Sequence, residues 1–310
     1  MAAKRCSGFR SLPKGCIANA LSLTCPKDAC RLAAVASIFN SAADSDFVRE
    51  RFLPSDYRDV ISRSIEGADS LLAKFRSNKE LYFYLSENHI LIDGSTKLRM
   101  YLTGFLLLHS FSLEKESGKK CFMLGARDLF IASGDTPEYW GWISLLDSRF
   151  PEVAELINVC WFEVRGKINA SMLSSGTKYS AYLVYTDKSR IQGFDHEPAE
   201  ASVGISGHDG QKQSVCLDPD VSHIKLYRNA IIANRLFARY NRWWRGNVDA
   251  HHKIKYPKFR ADRWMEVELG EFLVEEKQDG DMEISLMEVT DGIWKKNIFI
   301  QGIEIRPKAL

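Results

Sequence analysis

Trp264-Met265-Glu266-Val267-Glu268-Leu269 sets a carboxylate at alternate positions between apolar residues. Successive side chains of a strand point to opposite faces, so this stretch has one wet face and one dry face. Met282-Glu283-Ile284-Ser285-Leu286-Met287 alternates in the same way. The same period is read at Val159–Ile168, Lys178–Thr186, Ala201–Ile205, Ser214–Leu217 and Ile298–Ile305. Many short strands joined by Gly- and Asp-containing turns, with no long helices between them, predict an antiparallel β-sandwich or barrel from about Lys119 onward.

Working back toward the N-terminus, the period changes. Residues 14–23 carry Ile17 and Leu21 four apart. Thr24-Cys25-Pro26-Lys27-Asp28 follows, with a proline and a carboxylate where a helix begins. Leu32, Val35, Ala36 and Phe39 then form one predicted apolar stripe. A third helix is expected over Ser45–Arg51 and stops at Leu53-Pro54. Tyr57–Ala73 and Glu80–Asn88 are further helical stretches, and residues 94–118 have no clear period. The first three helices amount to about 45 residues, which bury too little surface to stand comfortably alone. Their apolar residues need a further surface, in this chain or in another protein.

Composition excludes several classes. The chain has 310 residues and 42 basic against 40 acidic side chains, a net charge of +2. That balance gives no drive toward nucleic acid or anionic membrane. No apolar stretch follows the basic start, and the longest apolar run, near Leu102–Leu108, is too short to span a bilayer, so neither a secretory signal nor a membrane span is expected. Seven cysteines without a Cys-x-x-Cys pair fit reduced thiols in the cytoplasm or nucleus.

No nucleophile elbow, phosphate-binding loop or zinc-spaced histidine set occurs, so neither catalysis, a metal nor a cofactor is expected. Residues 225–260 mix cations with Trp243 and Trp244, a footprint of single-strand binding. The same residues read better as an amphipathic helix with a solvated basic face. Tyr139-Trp140-Gly141-Trp142 follows the turn-like Asp135-Thr136-Pro137-Glu138. Such aromatics either stack on a sugar at a loop edge or belong to the core, and core is the commoner fate.

Two longer matches sharpen this reading. Leu12-Pro13, Ile17, Leu21-Ser22, Pro26-Lys27-Asp28-Ala29-Cys30-Arg31, Val35 and Phe39 resemble an F-box. With Phe52-Leu53-Pro54-Ser55-Asp56-Tyr57, the stretch is similar to the F-box of plant phloem protein 2-like proteins of the B type. Ala126-Arg127-Asp128-Leu129, Tyr139–Trp142, Arg165-Gly166-Lys167-Ile168, Trp264–Phe272 and Gly302–Pro307 resemble the phloem protein 2 or Nictaba-like lectin domain. The resemblance implies an α+β multidomain chain. It would consist of a three-helix F-box over 8–56, a helical connector over 57–118 with an apolar insertion at 98–109, and a jelly-roll-like antiparallel β-sandwich over 119–308.

By the same resemblance the F-box binds the Skp adaptor of an SCF-type, cullin-based ubiquitin ligase through Leu12, Pro13, Ile17, Leu21, Pro26, Asp28, Leu32 and Val35. The sandwich binds an N-acetylglucosamine-containing glycan or glycoprotein. The lectin family's site resembles two tryptophans seven apart and a distant glutamate. Here those positions are Ser133, Trp140 and Asp281, so one stacking ring is replaced by a hydroxyl and the acid has a shorter arm. The alternative is a plain carbohydrate-binding lectin whose F-box is vestigial.

Overall fold

The computed structural model describes residues 12–93, 108–194, 197–208, 210–219, 254–276, 278–290 and 292–308. Most of the apolar insertion expected at 98–109 and of the basic, aromatic segment 225–260 lies outside them. The chain divides into two compact units. One comprises the residues up to Ile92 together with Phe111–Cys121; the other is built chiefly from Phe122 onward.

The first unit is helical. Among the described residues it holds α1 (Lys14–Ser22), α2 (Pro26–Ala33), α3 (Ser37–Ala43), α4 (Asp46–Phe52), α5 (Tyr57–Ser62), α6 (Ala68–Leu72) and α7 (Asn78–Glu87). Pro26 sits in the first turn of α2, and the Cys25 Sγ accepts the Asp28 amide, as the helix-start signal requires. The single stripe expected from Leu32 to Phe39 is broken. α2 ends at Ala33, and Ala36 is extended at φ −157° before α3 begins. Tyr57–Ala73 is likewise two helices, because Gly67 turns the chain at φ +83°.

Residues 111–121 complete this unit. The Tyr82 hydroxyl donates to the Lys115 carbonyl at 3.0 Å, and the Lys27 ammonium meets Glu116 at 2.5 Å. Lys120, almost fully buried, pairs with Asp56 at 2.9 Å. The helices expected as a connector therefore share one core with those of the F-box region: Ile17, Leu21, Val48, Ile61, Leu71 and Leu85 are all buried.

The second unit is a sandwich of two antiparallel sheets. Its strands are β3 (Lys120–Gly125), β4 (Phe130–Ile131), β5 (Trp140–Ile143), β6 (Val153–Leu156), β7 (Phe162–Asn169), β8 (Thr177–Gln192), β9 (Ala199–Ile205), β10 (Gln211–Val215), β11 (Lys258–Phe259), β12 (Met265–Val274), β13 (Asp281–Glu288) and β14 (Lys296–Pro307). Two earlier strands, β1 (Ile90–Asp93) and β2 (Leu108–Leu113), precede them in the chain. The larger sheet runs β3-β14-β8-β12-β11, with β6 also paired to β14 and β5 to β6. The smaller runs β10-β9-β13-β7-β4.

Each of the seven stretches predicted from period two contains a strand, although residues 159–161 and 216–217 lie outside β7 and β10. β13 shows the reason: Met282, Ile284 and Leu286 are buried, while Asp281, Glu283 and Ser285 face outward. Where the sheets press together, a side chain at two glycines would crowd the opposite sheet. A Cβ on Gly166 would lie 2.9 Å from Leu124 and 3.1 Å from Ile303. Gly270, at a bulge in β12 with φ +156°, would meet Val203 of the opposite sheet at 2.7 Å.

Candidate ligand-binding sites

Each unit carries one set of predicted contact residues. In the helical unit these separate by burial. Ile17 and Leu21 lie in α1 at 3% and 2% exposure, and Pro26 is buried at the start of α2. They form part of the unit's own core. An amphipathic helix of nine residues must first bury its apolar side against its neighbours.

Leu12, Pro13 and Val35 are exposed, Leu32 is half-buried, and Asp28 is exposed with an ion pair to Arg31 at 3.1 Å. Leu23 and Phe47, which sequence reading did not single out as contact residues, are exposed apolar side chains as well. Leu23 is the cap residue that follows α1, where no periodic signal marks it.

In the sandwich, Trp140 is 2% exposed. Its indole N–H donates to the Ala132 carbonyl at 3.1 Å, and its ring lies 6.3 Å from Phe162. Trp142, two residues further along β5, donates to the Gly134 carbonyl at 3.2 Å beneath the Arg127 guanidinium, 3.7 Å from the ring centre. Arg127 is itself fixed by Glu152 through bonds of 2.9 and 3.1 Å. The two indoles thus clamp the loop 132–134. This corrects the expectation of an open stacking face at Trp140: its ring belongs to the core.

Ser133, between the two clamped carbonyls, is held in the left-handed region at φ 56°. Asp281 opens β13 opposite Asn169, whose amide donates to it at 3.3 Å. Ser133 and Trp140 belong to the loop before β5 and to β5 of the larger sheet, whereas Asp281 is exposed on the smaller sheet.

The smaller sheet's outer face holds a feature that sequence reading missed. Trp161, Glu163, Arg165 and Lys167 follow one another at alternate positions and point outward from the run that contains β7. The Trp161 N–H donates to Glu163 Oε2 at 2.8 Å, and Glu163 Oε1 meets Arg165 at 2.5 Å. Arg165 lies over the Phe130 ring, 5.9 Å from its centre, and reaches Glu283 at 3.4 Å. Lys167 holds the other oxygen of Glu283 at 3.0 Å, and its hydrogen bond keeps that carboxylate's pKa below the ordinary value. Asp128, Phe130, Glu163, Arg165, Lys167 and Glu283 line a cavity of about 460 Å³, and Trp161 borders it through its bond to Glu163. Their alternation was legible, but their meeting depends on β4 and β13 flanking β7.

Comparison with known proteins agrees with this architecture. A family model described as Phloem protein 2 matches residues 119–307. F-box protein At2g02240 of Arabidopsis thaliana is 41% identical over 301 residues, spanning 97% of this chain and 81% of its own. F-box protein PP2-B1 of the same plant is 41% identical over 327 residues, spanning 98% and 91%. Putative F-box protein PP2-B12, also from Arabidopsis thaliana, reaches 42% over 97% of this chain and 99% of its own length. Among solved structures, the Podospora anserina GH26-CBM35 β-(1,4)-mannanase resembles 61% of this chain and 28% of its own, at 9% identity and a TM-score of 0.31, too low to carry an argument. A helical F-box region followed by a phloem protein 2 sandwich, matched over nearly the full length, places the chain in the PP2-B family of F-box proteins.

Proposed function

We propose that this protein is the substrate-receptor subunit of an SCF-type ubiquitin ligase, without catalytic chemistry of its own, acting in the cytoplasm and nucleus. Its helical unit docks on the Skp adaptor. Its sandwich captures a glycan or glycoprotein, with N-acetylglucosamine as the expected sugar. Membership of the F-box PP2-B family over nearly the whole chain is the observation that carries this reading. The surface of the helical unit supports it: Leu12, Leu23, Val35 and Phe47 keep 44%, 74%, 72% and 56% of their area in water. Covering one such side chain is worth about 1.5–3 kcal/mol. A few of them suffice for a useful interface after ordering costs.

The test is a calorimetric titration of purified full chain with the Skp adaptor. Val35→Asp and Leu12→Asp are expected to weaken binding more than about tenfold, since charges would be desolvated in the interface, and to leave the helical circular dichroism unchanged. Absence of binding by the wild type, or full affinity in both variants, would overturn the adaptor role.

A further inference from the structure

The two pockets on the outer face of the smaller sheet form one trough. The 460 Å³ cavity and a shallower one beside it share Glu283. Strand register makes the trough a row: Phe130 stands opposite Arg165, Arg165 opposite Ser285, and Ser285 opposite Ser202. Three strand spacings separate the ends, roughly 14 Å, a length suited to a short chain of linked rings. Serine hydroxyls and Gly204 form the floor of the shallow end, Phe130 stands at the other, and Trp161, like Phe130 more than half exposed, flanks the row beside Glu163.

Three properties select the occupant. First, the charges are largely compensated among themselves: Arg165 by Glu163 and Glu283, Lys167 by Glu283, and Lys212 by Glu200, while Asp128 is hydrogen-bonded to His109. A face of many fixed donors and acceptors with little net charge matches a neutral, hydroxyl-rich molecule rather than an ionic one. Second, the aromatic rings are open yet anchored, Trp161 by its bond to Glu163 and Phe130 beneath Arg165. Flat apolar faces beside carboxylates and a guanidinium are what a sugar ring needs, since its C–H face is apolar and its rim is hydroxyl. Third, the Arg165 side chain stays 40% exposed while two of its nitrogens hold Glu163 and Glu283, so its guanidinium keeps further N–H donors to offer a ligand hydroxyl.

We propose that the outer face of the smaller sheet, centred on Phe130, Trp161, Glu163, Arg165 and Glu283, is the glycan seat of this protein. This rests on the reading that the sandwich binds a glycan, and it moves the contact away from Trp140, which is core. The ligand stacks on Phe130 and Trp161 and places hydroxyls against Glu163, Arg165 and Glu283.

The experiment is titration of the purified full chain with N-acetylglucosamine tetramer, followed by tryptophan fluorescence and calorimetry. Phe130→Ala and Arg165→Gln, both at partly exposed side chains, are expected to weaken binding at least tenfold. Trp161→Ala is expected to weaken binding several-fold and to lose most of the fluorescence change. Ser133→Ala is expected to bind like the wild type. If the wild type binds and the Phe130 and Arg165 variants bind equally well, the seat is wrong and the glycan reading stands. If the wild type binds neither this sugar nor any sugar of a glycan array, both fall. Capture of a charged protein segment that added salt abolishes and free sugar does not displace would also overturn the seat.

Discussion

The sandwich carries two charged networks on its two outer faces, and they have opposite fates. On the larger sheet, Glu304 is 6% exposed and meets Arg149 at 2.7 Å, Arg260 at 2.5 Å and Arg306 at 3.1 Å. Arg306 also pairs with Glu266 at 2.6 Å and covers Tyr182, 3.9 Å from the ring centre. Burial pushes the Glu304 pKa up, but Arg149 and Arg260 outweigh it and hold the carboxyl down at about 2. On the smaller sheet, the Arg165 side chain is 40% exposed and keeps an incomplete donor set. The same residue types thus make a closed staple on one face and an open recognition surface on the other. What separates them is the depth of the pair at the centre: the Arg149 and Arg260 side chains around Glu304 keep 14% of their surface exposed, whereas Arg165 keeps 40%.

The largest effect expected from breaking this contrast is on the closed side. Glu304→Gln leaves Arg149 and Arg260 without their shared carboxylate. Losing one partner of a buried pair costs about 3–5 kcal/mol. Urea unfolding followed by tryptophan fluorescence measures it, because the described tryptophans, Trp140, Trp142, Trp161, Trp264 and Trp294, all lie in the second unit. A cost under about 1 kcal/mol would mean the staple is loose.

Trp140→Ala is expected to cost a similar amount, about 3–5 kcal/mol, with Trp140→Phe costing much less because only the bond to Ala132 is lost. Equal costs for the two would show that the indole hydrogen bond, not ring packing, holds the loop.

Acidity gives a smaller, graded effect. The folded pKa of Glu304 is depressed, so its contribution is fully present above the unfolded carboxylate value near 4.5. It is lost as pH falls toward about 2. Acid unfolding of the wild type should steepen in that window, and Glu304→Gln should flatten it. An unchanged slope would contradict the ionised staple.

The smallest effect belongs to the open face. Arg165→Gln should shift stability by about 1 kcal/mol or less, as partly exposed ion pairs do, while removing sugar binding. A large loss of stability there would make the network a second staple.

Much of the fold was legible. Longer strands with one wet face announced themselves through alternation, as β12 and β13 did, whereas the four-residue β1 and β5 were not read as strands. β2 was not read either: Leu108, His109, Ser110, Phe111, Ser112 and Leu113 are all buried, so no wet face exists to mark it. His109 is polar yet enclosed, because it pairs with Asp128 at 2.5 Å. The break at Ala34–Ala36 was hidden too, since alanine and valine neither stop a helix nor announce its end. The candidate sites were less legible still. The Trp140 and Trp142 indoles bond to backbone carbonyls, which carry no side-chain signature. The trough requires strands distant in sequence, β4, β7, β13 and β9, to lie side by side.

The central claim is that one chain bridges an adaptor and a glycan. Beads bearing N-acetylglucosamine tetramer, incubated with purified Skp adaptor and full chain, test it most directly. The account predicts that adaptor stays on the beads only when the chain is present. Val35→Asp should leave the chain on the beads without adaptor, and Phe130→Ala should remove both. Adaptor and chain never retained together on the beads would contradict the account.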